Sequence, residues 1–234
     1  MIRVEQISAN IWCIKAWLLI PLRVWIVREE DGVTLVDAGM PFMTKRIMAF
    51  IKQLNAGPLK RILLTHGHSD HVGAVKKMAG AESVPVFAHR IEIPYMEGKE
   101  LYPRRKKLEV NVQPGLAQPL PEDAEGNVAP IGGLQPYLTP GHSPGHVVYY
   151  HEKDGVLLAG DLFTSKRGRL HRPMPMFTAD MAQALKSSLI VRQLRPRHLE
   201  VCHGTPIHHP AEQLDDYLKE VSTSFSIPTS VWQS

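Results

Sequence analysis

Thr65-His66-Gly67-His68-Ser69-Asp70-His71 places three imidazoles and one carboxylate within residues 66–71, directly after an apolar run ending Ile62-Leu63-Leu64. Imidazole nitrogen and carboxylate oxygen are the ligands of catalytic zinc and related divalent ions, at about 2.0–2.2 Å. An open tetrahedral catalytic site takes three protein ligands and a water, so four donors in one loop exceed the needs of one ion and point to two adjacent ions. The bland alternative is a solvated loop whose histidines are incidental. The chain has 12 histidines in 234 residues, too few to make this density an accident of composition.

Three further donors are candidates by their surroundings. His142 and His203 stand beside Gly141 and Gly204, where the chain can bend sharply, and Asp161 follows the apolar stretch Val156-Leu157-Leu158-Ala159 and Gly160. Taken singly, each reads more simply as a turn residue.

The elements that must carry these residues fall into two series. Residues 4–7, 11–17, 24–28 and 33–37 are short β-rich runs separated by the turn signals Ser8-Ala9-Asn10 and Glu30-Asp31-Gly32, an antiparallel start. Ile47, Phe50, Ile51 and Leu54 fall at helical spacing within 42–54, ahead of Asn55-Ala56-Gly57-Pro58. Residues 61–65 then read as a strand, 66–71 as a loop, 72–79 as a helix ended by Gly80, and 84–88 as a strand. The stretch 94–136, rich in Pro, Gly and charge, reads as an inserted loop or cap. Beyond it, 135–139, 147–151, 156–159 and 199–202 read as strands, and 179–194 and 212–222 as helices. One series ends at His66 and the other at His203, which suggests two β layers, each covered by helices, in a single domain over 1–234.

Composition removes several function classes. Hydrophobic residues at 44% and charged residues at 21% describe an ordinary globular chain. A net charge of +4 barely favours an acidic partner, and the run Arg104-Arg105-Lys106-Lys107 is more simply a solvated loop than a nucleic-acid stripe, so no nucleic-acid partner is expected. Residues 11–27 are largely apolar but interrupted by Lys15, Pro21 and Arg23, and read as buried strands rather than a membrane span. Cys13 and Cys202 are too few and too far apart in sequence for a disulfide framework or a finger-type zinc site. With no secretory signal in the opening residues, the expected compartment is the cytoplasm.

The His-x-His-x-Asp-His arrangement of His66, His68, Asp70 and His71 resembles the signature of the metallo-β-lactamase superfamily. The resemblance extends over nearly the whole chain, through Thr139-Pro140-Gly141-His142-Ser143-Pro144-Gly145-His146, Leu158-Ala159-Gly160-Asp161 and Cys202-His203-Gly204. It implies an α/β fold, the four-layer αβ/βα sandwich, with the site at the open edge between two sheets. It implies that His66, His68 and His142 hold one metal and Asp70, His71 and His203 the other, with Asp161 bridging them. The implied cofactors are two divalent ions, zinc first, with manganese, iron or cobalt as alternatives. The implied chemistry is hydrolysis by a hydroxide shared between ions about 3.5–4 Å apart, formed near neutral pH because bound water's pKa falls to about 7. Asp70 would also orient that hydroxide or shuttle a proton as a catalytic residue. Asp37 matches a position where a carboxylate supports the ligand histidines from behind, and His146 one where a histidine joins that supporting layer or meets substrate.

Within the superfamily, Asp161 favours the branch of hydroxyacylglutathione-type thioester hydrolases and lactonases over the β-lactamases proper. The tail after His203 shows no recognisable basic and aromatic glutathione-binding segment, so a small-molecule ester or lactone is as well supported as a thioester. A β-lactamase-type amide hydrolase drops behind these, and phosphodiesters rank third. A mononuclear iron persulfide dioxygenase and a non-catalytic binding module are disfavoured by the complete set of seven ligand positions. His89, His208 and His209 read as structural or loop residues, 163–177 as an exposed basic loop, and 18–22 with Trp17 and Trp25 as core.

Overall fold

The computed structural model describes residues 2–232. β1 (Arg3–Gln6), β2 (Ile11–Leu18), β3 (Ile20–Arg28) and β4 (Val33–Val36) form an antiparallel meander, to which β5 (Leu59–Leu63), β6 (Val86–Ala88) and β7 (Ala117–Pro119) add in parallel. The seven strands stand in sequence order. Parallel neighbours require crossovers, and the intervening chain supplies them as helices. α1 (Thr44–Leu54) buries Ile47, Phe50 and Ile51 and ends at Asn55 in the left-handed region, φ 51°. Then come α2 (Ser69–Val72), α3 (Val75–Glu82) and α4 (Ile93–Met96).

The second sheet has the order β14-β13-β10-β9-β8, from β8 (Gln135–Leu138), β9 (Val147–His151), β10 (Val156–Leu158), β13 (His198–Glu200) and β14 (Ile207–His208). A small hairpin, β11 (Thr164–Lys166) with β12 (Arg169–His171), and the helices α5 (Met181–Ser187), α6 (Ile190–Leu194) and α7 (Leu214–Phe225) complete the chain.

Side chains alternate across a strand, and here the alternation sorts residues between two apolar clusters. Val147 and Tyr149 of β9 and Val156 and Leu158 of β10 join the cluster built on the first sheet. Val148 and Leu157 point the other way, onto Leu185, Val191, Leu218 and Val221 of α5, α6 and α7. The second sheet therefore lies between the first sheet and its own helices, and Ile47, Val75 and Met78 cover the first sheet from α1 and α3. The result is the expected four-layer sandwich.

Strand direction brings the site together. β10 and β13 run parallel and β9 antiparallel to β10, so the segment entering β9 and the segments leaving β10 and β13 emerge at one edge. The loop after β5 joins that edge, because the Thr65 carbonyl accepts from the Val147 N–H at 2.8 Å and the Leu64 carbonyl from the Tyr149 hydroxyl at 2.8 Å.

Several elements differ from the sequence expectation. Residues 18–22 are not all core: β2 and β3 pair along their whole length to Leu18 opposite Ile20, and the hairpin turns at Leu19 (φ 63°), which is 92% exposed. Trp25 and Leu22 are buried, but Trp17, Leu18 and Leu19 project beyond the sheet. Residues 69–72 form a helical turn within the donor loop and its exit. The stretch 94–136 is not wholly loop, since β7 pairs with β6 as an edge strand. The expected helix over 179–194 starts at Met181, because the Asp180 carboxylate accepts from the Gln183 N–H at 3.0 Å as its N-cap, and it breaks into α5 and α6. The basic segment 163–177 contains the β11–β12 hairpin, with Arg172 stacked 5.3 Å from the Phe225 ring.

Candidate metal centre

His66, His68 and His142 converge first. His68 Nδ1 lies 3.0 Å from His66 Nε2 and 3.0 Å from His142 Nε2. The outer nitrogens settle which way the lone pairs point. The Thr65 hydroxyl donates to Asp37 and so accepts from His66 Nδ1 at 3.1 Å, while the Thr178 hydroxyl donates to the Met174 carbonyl and accepts from His142 Nδ1 at 3.3 Å. With Nδ1 of each ring protonated, the Nε2 lone pairs of His66 and His142 face inward. Burial holds both imidazoles well below their ordinary range, and burial with the neighbouring His71 brings His68 down to about 4. A proton on His68 Nδ1 would serve one of the two facing lone pairs and leave the other unmet, whereas a cation among the three nitrogens would serve all of them.

Asp70, His71 and His203 form the second group, which also includes the Cys202 thiol; its four donor atoms all lie within 4.8 Å of one another. His71 Nδ1 donates to Asp37 at 2.8 Å, and His203 Nδ1 donates to the Pro21 carbonyl at 2.8 Å, so again both Nε2 atoms turn inward. Burial alone would raise Asp70, but His71 and a hydrogen bond from His203 hold it at about 2. Burial opposes charge on His71 and His203 as well. Cys202 and the surrounding carboxylates nevertheless raise both rings, Asp161 being the foremost of the groups that raise His203. The first group thus presents lone pairs and the second a demand for positive charge.

Asp161 lies between them. Its Oδ2 is 3.4 Å from His142 Nε2 and 3.3 Å from His203 Nε2, and its Oδ1 is 3.5 Å from His71 Nε2. His71 Nε2 and Asp161 Oδ1 are fully shielded yet have no hydrogen-bond partner. Orphaned buried polar atoms cost about 1–3 kcal/mol each, and a cation between two such atoms removes that cost. The seven residues therefore fit a pair of divalent ions on donor chemistry and on their unsatisfied atoms.

The supporting residues explain how the loops are held. Asp37 (φ 57°), at the end of β4, accepts from the Thr65 N–H at 2.8 Å, the Thr65 hydroxyl at 2.9 Å and His71. His146 donates from Nδ1 to the Thr139 hydroxyl oxygen at 2.9 Å and accepts the Asp161 N–H on Nε2 at 3.2 Å. Burial pushes it down to about 3, so it stays neutral and orients Asp161 without reaching the cavity. Gly160 takes φ 52°, and a Cβ there would stand 2.9 Å from His146 Nε2 and from Thr65.

One supporting residue was missed. Glu92 is wholly buried, and it accepts from the Gly67 N–H at 2.9 Å, the Tyr102 hydroxyl at 2.8 Å, the Ser143 hydroxyl at 2.9 Å and the Gly145 N–H at 2.7 Å. It clamps the loop carrying His66 and His68 to the loop carrying His142. Burial pushes its carboxyl upward against these four donors. The only signal in the sequence was a lone acid between Ile91 and Ile93. His89 does not join the centre; its Nδ1 accepts the Ile91 N–H at 3.2 Å.

The centre opens into a cavity of about 270 Å³. Leu18, Ile20, Leu22 and Met40 form an apolar wall, facing His68, Asp70, Asp161, Arg105 and Phe177. The projecting hairpin thus overlooks the site.

Known proteins resemble this chain in sequence and fold. A probable metallo-hydrolase, YybB, of Bacillus subtilis is 37% identical over 219 residues, covering 92% of this chain and 96% of that one. A hydroxyacylglutathione hydrolase of Pseudomonas fluorescens is 30% identical over 162 residues, covering 67% of this chain and 53% of that enzyme. A protein crystallised in a di-iron-bound form superposes with a TM-score of 0.65 at 27% identity, covering 88% of this chain and 96% of that one. Residues 22–202 match the family model described as the metallo-beta-lactamase superfamily. That match begins within β3 and ends one residue before His203, so it spans most of both sheets, and the chain belongs to the metallo-beta-lactamase superfamily.

Proposed function

We propose that this metallo-hydrolase uses two divalent ions, zinc first, to cleave a carboxylic ester, lactone or thioester. The carrying observation is Asp161, whose carboxylate stands within 3.5 Å of ring nitrogens from both donor groups. His66, His68 and His142 would hold one ion, Asp70, His71 and His203 the other, and Asp161 would serve both. When bound, such a pair supplies a water acidified to a pKa of about 7 and Lewis-acid polarisation of the substrate oxygen.

The chain's own residues do the remainder. Asp70 is the most exposed of the carboxylates in the centre, 29% open at its side chain, and it lines the cavity, which suits it to hold and pass a proton to the leaving group. Leu18, Ile20, Leu22 and Met40 bind an apolar acyl or ring portion and exclude water from the reacting carbonyl. Among the described residues of the cavity lining, Arg105 is the one cation and Glu109 adds a carboxylate, which favours a neutral ester over a phosphodiester.

The test pairs elemental analysis with a panel of lactones, thioesters, aryl esters, phosphodiesters and β-lactams. Asp161→Ala is expected to lower metal content and carboxyl-ester hydrolysis together, the latter by at least about 100-fold, the upper end of the effect of removing a supporting group. Normal turnover in a metal-replete Asp161→Ala protein would overturn the assignment.

A further inference from the structure

Cys202 has no place in the ligand set just described, yet its thiol is gathered with Asp70, His71 and His203 within 4.8 Å. Resting on the two-ion reading above, we infer that Cys202 supplies a thiolate to that second group, making it a mixed sulfur, nitrogen and oxygen centre that selects a thiophilic divalent ion.

Strand register places the thiol. Leu199 and Val201 pack into the cluster shared with the outer helices, whereas Glu200 and Cys202 face the opposite way, toward the first sheet. The Cys202 N–H donates to the Gly160 carbonyl at 3.0 Å, which ties this residue to the turn that carries Asp161. An independent observation points to a ligand at the same place: His71 Nε2, fully buried, is aimed into the group and has no partner. Cys13 is the contrast. It is also buried, but it sits within the first sheet against the Arg23 guanidinium at 3.8 Å, and it belongs to none of the donor groups among the described residues.

A buried cysteine is ordinarily a small apolar filler, and Cys202 does touch the apolar cluster. Three other metal donors around its sulfur separate it from that case. Coordination forms one sulfur–metal bond, breaks the S–H bond and releases that proton to solvent, with no change of oxidation state. Thiolate favours zinc and other thiophilic ions, while a site of carboxylate and imidazole alone also accepts manganese. Cys202 would thus bias the second position against the harder ions.

The test uses the full chain reconstituted with cobalt(II), with cobalt counted per chain by elemental analysis. A thiolate-to-cobalt charge-transfer band in the near ultraviolet is expected in the wild type and in Cys13→Ser, and its loss in Cys202→Ser. Cys202→Ser should also bind its second cobalt at least about 10-fold more weakly, the lower end of what loss of a supporting group produces, while retaining the first. Two cobalt ions without the band in the wild type, or a band that survives in Cys202→Ser, overturns the thiolate and leaves the two-ion reading standing. A chain that takes up no cobalt overturns both. If Cys202→Ser does not fold, the wild-type and Cys13→Ser spectra decide alone, because the chain has only 2 cysteines.

Discussion

An imidazole has two nitrogens, and in this centre the group behind each ring decides which of them faces the other donors. For His71 that group is the Asp37 carboxylate, which can only accept, so Nδ1 must donate and Nε2 must face inward. Asp37→Asn is a mild steric change, because Asn tolerates the left-handed backbone that Asp37 adopts. It removes the charge and puts an amide donor in competition with His71. On the two-ion reading proposed above, the expected outcome is a roughly 10- to 100-fold loss of affinity at the second ion, measured by competition against a chelator, with the fold kept. Unchanged affinity would mean that something other than Asp37 orients His71. Glu92 belongs to the same scale, since one carboxylate accepts from Gly67 in one donor loop, from Ser143 and Gly145 in the other, and from the Tyr102 hydroxyl.

The β2–β3 hairpin and the turn between β9 and β10 show how an element acts at each end of the sandwich. The hairpin leaves the sheet with Leu18 47% exposed, so replacing that side chain removes little core packing. On the ester-hydrolase reading proposed above, Leu18→Ser is expected to raise KM several-fold for substrates with long apolar groups and to leave kcat and the melting temperature nearly unchanged. An equal effect on substrates with small acyl groups would argue that the hairpin does not touch the substrate. At the far turn, the Asp154 carboxylate accepts from the Ser8 hydroxyl, from the Asn10 N–H at 3.1 Å and from the Asn10 amide at 2.9 Å, joining the first sheet to the second. Burial would raise its pKa, but these donors, Ser8 foremost, hold it below the ordinary range of an aspartate. A depressed folded pKa gives stability that is present above the unfolded value and lost as pH falls through the folded one. Asp154→Asn should therefore cost about 1–2 kcal/mol in urea unfolding at pH 7, and the gap should close as pH falls through the lowered range in which the Asp154 carboxylate takes up its proton.

Across the whole molecule, the two sheets are joined by a buried ion pair as well as by apolar packing. Arg23 of β3 reaches Glu200 of β13 at 2.7 Å, and the same carboxylate accepts from Trp25 at 3.2 Å and contacts His198 at 2.7 Å. Both charges are shielded from solvent. Removing one partner of such a pair strands the other charge, at about 3–5 kcal/mol, whereas replacing both with apolar groups is often neutral. Arg23→Met is expected to lower unfolding free energy by that amount, and the double change Arg23→Met with Glu200→Leu to recover part of it, since the leucine leaves the Trp25 indole N–H without its acceptor. A double variant as unstable as the single one would show that the pair is not the source of the loss.

Part of the centre was legible in residue order. The donor loop at 66–71 and the two strand–helix series follow from local rules: ligand chemistry, turn chemistry and hydrophobic period. His142, Asp161, His203 and Asp37 each read singly as turn residues and stood out only through the resemblance to the superfamily's motifs. What those rules do not reach is contact between distant segments. Glu92 looks like any acid until Gly67, Tyr102, Ser143 and Gly145 fold around it. Residues 18–22 look like core because they are apolar, and only the full pairing of β2 with β3 carries their turn past the sheet. Cys202 looks like filler until strand register turns its sulfur toward Asp70, His71 and His203. Residue types and spacing determined which donors this chain offers; the tertiary structure decided which of them meet and which groups hold and cover them, because those contacts depend on how the two sheets meet at one edge.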